Sequence, residues 1–188
     1  MSGPATTQTA TPTTSTATPA TDAATSTAAT PETAPLGPEA LVDAATYADV
    51  LNFYAWQTQL LDDGHADRWA LTFTEDAVFG QRTSPGRVFS GNSPAERRGR
   101  EVIATSARAG VERHAQDDVV RRHWIGQVAI YAGPQPGTVQ TRFYALIVET
   151  ARGQRPTFHL STTGQDVLVR AEGTWLVQER WITHDDAA

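Results

Sequence analysis

Five histidines supply the side chains of this chain that exchange protons near neutral pH: His65, His114, His123, His159 and His184. "RRHWIGQVAIY", residues 121 to 131, sets His123 between two arginines and a tryptophan at the start of a β-type run. A carboxylate that holds one imidazole nitrogen leaves the other to take and return protons, which is general acid–base chemistry. Asp62 is the carboxylate of interest, because it stands in line with Leu61, Thr58 and Tyr54 at helical spacing. The residues alone leave His123 open between a packed strand residue and a proton-transfer group. They leave Asp62 open between a helix cap, a surface ion pair and a site residue. The other histidines have plainer readings. His65 in a turn and His184 near the C-terminus read as surface, and His159 reads as a satisfied sheet residue. His114 closes a helical run, where a cation meets the negative end of the helix dipole.

Composition removes much other chemistry. There is no Cys, so disulfides, thiolate nucleophiles and Cys-based metal sites are out. All fifteen basic residues are Arg, which excludes a Schiff-base lysine. No two histidines lie at a chelating spacing on one face, and no Gly-rich loop joins a strand to a helix, so neither metal nor cofactor is expected. Net charge is −6, and "ERRGR" (96 to 100) reads as the solvated start of a helix, so no nucleic-acid partner is expected. No apolar run approaches a membrane span, and residues 1 to 20 have neither the positive start nor the apolar stretch of a secretory signal; the cytoplasm is the expected location.

The elements that must position these groups lie in residues 39–188. Residues 1–38 are a Thr/Ala/Pro-rich tail without an aromatic residue, expected to be disordered and dispensable. "DAATYADVLNFYAWQTQLLDDG" predicts a helix with Tyr47, Val50, Leu51, Tyr54, Thr58 and Leu61 on one stripe and Phe53, Trp56 and Leu60 on a second. Gly64 supplies its left-handed stop. "ADRWALTF" predicts a short second helix. "DAVFGQR" and "GRVFSG" predict two short strands about a Ser84–Pro85–Gly86 turn. Ser93, Pro94 and Glu96 predict a capping box and a third helix to about His114. Four β-type runs follow, separated by short turns, so neighbours should pair antiparallel. Helices first and a meander after predict an α+β domain, three helices packed on one face of a curved antiparallel sheet.

This order resembles the NTF2-like cone, and more narrowly the SnoaL-like group of bacterial polyketide cyclases, relatives of scytalone dehydratase and ketosteroid isomerase. "LLDDGHADRWALTFTEDAVF", "RRHWIG" and "VLVRAEGTWLVQERWITHD" carry the likeness, which runs from about Ala45 to Asp185. The resemblance implies a cavity between helices and sheet, with Asp62 and His123 as the family's Asp–His pair: Asp62 orients the ring and His123 exchanges protons with a small-molecule substrate. It implies a wall formed by Tyr54, Trp69, Phe79, Gln81, Phe143, Ile147 and Glu149. The chain departs from scytalone dehydratase, whose pocket tyrosines fall at Leu61 and about Gln81 and whose second pocket histidine falls near Glu149. The activity implied is a cofactor-independent cyclisation, dehydration or isomerisation of a polyketide-like or polycyclic molecule in bacterial secondary (antibiotic) metabolism. The alternative is a non-catalytic ligand binder or a subunit like the β-subunits of ring-hydroxylating dioxygenases, with Trp175 and Trp181 as exposed aromatics for a partner. A homodimer through sheet faces is also expected, since strand alternation sets Trp124, Val128, Ile130, Tyr144, Leu146 and Val148 opposite the cavity.

Overall fold

The computed structural model describes residues 40–82 and 96–185, with Met1 and Gly3; the rest of the predicted tail and the predicted Ser84–Gly86 turn, "GRVFSG", Ser93 and Pro94 lie outside the described residues. All elements belong to the unit Pro35–Ala188. They are α1 (Ala44–Asp62), α2 (Ala66–Ala70), β1 (Phe73–Arg82), β2 (Glu96–Arg98), α3 (Arg100–Gln116), β3 (Val119–Ala132), β4 (Thr138–Ala151), β5 (Thr157–Ala171) and β6 (Thr174–His184). The order is that of an NTF2-like α+β cone. Among the described residues one sheet of six strands runs β2-β1-β6-β5-β4-β3. The meander β3 to β6 is antiparallel as its short turns require, but β1 joins β6 in parallel, so the sheet is mixed rather than wholly antiparallel. The chain between β1 and β6 is long enough to return to the sheet in the same direction, which a tight hairpin cannot do.

Asp43 caps α1 by accepting from the Thr46 amide, and Gly64 follows at φ 82°. The buried face of α1 is Val50, Phe53, Tyr54, Gln57 and Leu60, while Tyr47 and Trp56 are exposed. The two predicted stripes therefore merge into one, with a glutamine inside it. Gln57 is tolerated there because it donates to Thr72 Oγ1 at 2.6 Å and accepts from Arg180 at 2.8 Å.

The predicted capping box at Ser93–Glu96 does not start α3. Glu96, Arg97 and Arg98 are strand residues, set opposite Gly80, Phe79 and Val78 of β1. Gly99, at φ 88°, makes the turn from strand to helix, a conformation a side chain would disfavour. The edge of β1 needed backbone partners, and that need outweighed a local helix signal.

A bulge corrects the sheet-face assignment. Gln127 adopts φ 51°, and the β3–β4 register shifts between Gly126 and Ala129. One extra residue exchanges the two faces of a strand. Before it, His123 and Ile125 face the helices and Trp124 faces out, 70% exposed. After it, Val128 and Ile130 turn inward, and Ile130 is fully buried. The outer face thus keeps Trp124, Tyr144 and Leu146, joined by Phe158, and loses Val128 and Ile130.

Candidate acid–base cavity

Between α1, α3 and the concave face of the sheet lies a cavity of about 660 Å³. Its walls are mostly apolar: Leu61 from α1, Ile103 from α3, Phe79 from β1, and Ile125, Phe143 and Ile147 from β3 and β4. Trp69 adds its ring, 4.7 Å from Phe73 edge-on and 6.4 Å from Phe79. Gly164 opposes Phe143 across β5 and β4, and a Cβ there would stand 2.1 Å from the Phe143 ring; the glycine lets that ring lie flat on the sheet.

Asp62, the last residue of α1, and His123, near the start of β3, meet at the cavity wall. His123 Nδ1 is 2.5 Å from Asp62 Oδ1, and the His123 amide donates to Asp62 Oδ2 at 3.0 Å. Both carboxylate oxygens are therefore committed to one residue. A carboxylate beside Nδ1 fixes the tautomer with the proton on Nδ1, which leaves the Nε2 lone pair. Among the described residues nothing bonds to Nε2. The Asp62 side chain is 7% exposed and that of His123 23%, so the pair is shielded yet open to the cavity. Arg122 braces the helix end by donating to the Asp62 carbonyl at 2.9 Å.

Of the remaining expected wall residues, Trp69, Phe79, Gln81, Phe143 and Ile147 line the cavity. Tyr54 does not. It is buried in the core, with its hydroxyl 2.6 Å from Thr141 Oγ1 and donating to Asp166 Oδ2 at 2.9 Å. Burial and the neighbouring Asp166 charge hold its phenol well above the usual tyrosine range, so it stays protonated. Glu149 is also off the wall. It lies within ion-pair distance of Arg121 (3.4 Å), His114 (3.6 Å) and His159 (3.4 Å). Strand alternation carried Glu149 to the right face but one step beyond the cavity.

Several lining groups were read otherwise from the sequence. His184, read as surface, lines the cavity with its Nε2 3.3 Å from Gln81 Nε2. His114, read as a helix-end cation, faces the cavity beside Arg121. Burial lowers its proton affinity and the Arg121 charge adds to the effect. Arg180 sits on the wall with Gln57, and its charge is met by Asp166 at 2.6 Å. Burial works against that charge, but Asp166 outweighs it and the guanidinium is held more firmly protonated than usual. The signal for Arg180 and His184 was present, since both alternate with Ile182 on one face of the last strand. Arg97, read as part of a solvated run, lines the cavity with its guanidinium 5.5 Å over the Phe79 ring. Trp175 is 6% exposed and Trp181 covers Gly80, so neither serves as the exposed anchor the alternative reading needed. Among the described residues no cluster of three His, Cys, Asp or Glu is arranged to hold a metal, and no helix is long and apolar enough to cross a membrane.

The model of the SnoaL-like domain family matches residues 42–181. Aln2 from a Streptomyces species is similar at 29% identity and a TM-score of 0.66, over 78% of this chain and 95% of that one. ActVI-ORFA from Streptomyces coelicolor is similar at 28% identity and 0.66, over 78% and 99%. A protein from Catenulispora acidiphila, solved in complex with S-DNPA, is 36% identical with a TM-score of 0.60, over 77% and 96%. No curated protein sequence matches.

Proposed function

The chain belongs to the SnoaL-like domain family, and from that premise we propose that it is a cofactor-independent cyclase, dehydratase or isomerase. Its substrate would be a polyketide-like or polycyclic small molecule of a bacterial secondary-metabolite pathway. The observation that carries the reading is the Asp62–His123 pair on the wall of a mostly apolar cavity, its Nε2 without a partner among the described residues. His123 Nε2 takes a proton from a carbon next to a carbonyl. Asp62 stabilises the imidazolium that results, and the same nitrogen returns the proton to a departing hydroxyl or to a second carbon. Asp62 is the orienting partner rather than the base, because both of its oxygens are already engaged. The aromatic wall holds a flat substrate in one orientation, which contributes through positioning. The relative solved with S-DNPA supports a small-molecule occupant.

Exchange of the α-protons of 2-tetralone in D2O, followed by NMR, tests the reading without the natural substrate. The wild-type chain should accelerate exchange, and His123→Ala should lose ~10²–10⁴-fold. Asp62→Asn should lose part of that. Equal rates for the wild type and His123→Ala would sink the acid–base role.

The chain is also proposed to act as a homodimer in solution. Val120, Trp124, Tyr144, Leu146 and Phe158 are all at least 46% exposed on the outside of β3 to β5. Register sets Trp124 beside Leu146, and Phe158 beside Val148. A continuous apolar face of this kind fits a second copy of itself about a two-fold axis. Light scattering should give twice the chain mass, and Trp124→Glu should give a monomer; a monomeric wild type at micromolar concentration would end the proposal.

A further inference from the structure

The cavity wall carries more positive than negative charge, and most of it is accounted for. Arg180 pairs with Asp166, Arg121 with Glu149, and Arg122 lies 4.0 Å from Asp63. Arg113 is exposed to water. Arg97 is different. It comes from β2, at the far end of the sheet order from His123, and is fixed opposite Phe79 by the β1–β2 register. Its neighbour Arg98 takes the carboxylate of Glu96. Among the described residues Arg97 has no ion pair, and its Nε is buried without a hydrogen-bond partner. Burial lowers its proton affinity, yet a guanidinium remains charged at neutral pH. Its Nε is enclosed, so a ligand would meet the terminal nitrogens of the guanidinium, and a part-desolvated cation without an ion pair on a cavity wall is best satisfied by an anionic acceptor.

We propose that Arg97 forms a carboxylate-binding subsite, so that the substrate is an aromatic or polycyclic acid whose carboxylate lies on Arg97 while its reacting carbon lies at His123. The subsite rests on the acid–base reading of the cavity and adds its substrate class. The cavity is then bipolar. One end holds a fixed cation that binds without reacting, the other the His123 imidazole, and the apolar span between them accepts the ring system. Anchoring at Arg97 would decide which carbon of the substrate meets Nε2, a specificity role rather than a catalytic one.

Two probes of the same shape separate the charge from the ring: 2-naphthylacetate and 2-naphthylacetamide, with binding measured by calorimetry at pH 7 on the full chain. The acid should bind the wild type ~10-fold or more tightly than the amide, the range expected for a charge-assisted hydrogen bond. Arg97→Gln should abolish that preference while leaving amide affinity unchanged, which also reports an intact cavity. Arg97→Lys should keep part of the preference, and it decides the matter if Arg97→Gln does not fold. Arg98→Gln, at a side chain 70% exposed, should change nothing. Equal binding of acid and amide by the wild type, or a preference that survives Arg97→Gln, would overturn the subsite while leaving the acid–base reading standing. Failure of both probes to bind the wild type would remove the aromatic cavity reading and the subsite with it.

Discussion

Two carboxylate pairs meet the same cavity wall, one through Arg180 and the other through Asp62 and His123, and they are built in opposite ways. Asp166 and Arg180 form the closed one. Arg180 Nε reaches both Asp166 oxygens at 2.9 and 3.1 Å, Nη2 reaches Asp166 at 2.6 Å and Gln57 at 2.8 Å, and Tyr54 donates to the same carboxylate. The rings of Tyr54, Phe73 and Phe143 stand within 5.9 Å of the guanidinium. The Asp166 side chain is wholly buried and that of Arg180 8% exposed. Asp62 and His123 form the open pair. The carboxylate is equally committed, but the imidazole keeps one nitrogen without a partner among the described residues. Burial and a short ion pair are common to both, so neither marks a reacting group. What distinguishes them is an imidazole nitrogen left without a hydrogen-bond partner among the described residues.

Loss of the closed pair should act on stability and loss of the open pair on turnover. Asp166→Ala should destabilise the fold by ~3–5 kcal/mol, because it strands the Arg180 charge in the core. Asp62→Ala should cost about 1–3 kcal/mol, since the partly exposed His123 ring can satisfy its lost hydrogen bond with water. Urea unfolding of both variants measures the gap. Equal losses would mean that the open pair is structural as well.

A subtler change probes the same contrast. Tyr54→Phe removes one donor to Asp166 and leaves the ion pair in place. The expected loss is about 1.5–3 kcal/mol, the range for hydrogen bonds to charged groups, with no change in 2-tetralone exchange. A collapse of exchange in a variant of unaltered stability would move Tyr54 from the core network into the reacting site.

The sequence carried the open pair better than the closed one. Asp62 was legible because helical spacing sets it in line with Thr58 and Leu61, and His123 because it starts a long β-type run. The resemblance to the SnoaL-like group then joined them. The closed network was missed, since Gln57 on an apolar stripe and Asp166 in a strand look like surface residues until their partners are known. The resemblance implied Tyr54 as a wall residue, and helix periodicity could not correct it, because periodicity tells which face is buried and not what it is buried against. The meander from β3 to β6 followed from turns and alternation. The faces of β3 did not, because the bulge at Gln127 reverses alternation and leaves no compositional mark beyond the preceding Gly126. The start of α3 was misplaced for the reason that makes Arg97 interesting: "ERRGR" is polar enough to pass for a solvated helix, while pairing with β1 sets Arg97 on the cavity wall.

His114 lies between the two extremes and gives the smallest effect. Its Nε2 is 3.2 Å from Arg121 Nη1, which can only donate, so that nitrogen accepts and the ring is neutral with its proton on Nδ1. Burial, then Arg121 and Arg113, hold its proton affinity below that of an ordinary histidine; Glu149 and Asp117 oppose them without prevailing. The folded value is depressed, so the unfolded chain takes up the proton first as pH falls. His114 therefore costs no stability above the ordinary histidine value of about 6.5, and stability declines as pH drops through that value toward the folded one. His114→Gln keeps an acceptor for Arg121 and removes the titration. Its melting temperature should fall less than that of the wild type between pH 7.5 and about pH 5.5, and the His114 ring resonance should titrate below the ordinary range. A ring that titrates above that range would show that Glu149 outweighs burial there, and the pH dependence would then reverse its sign.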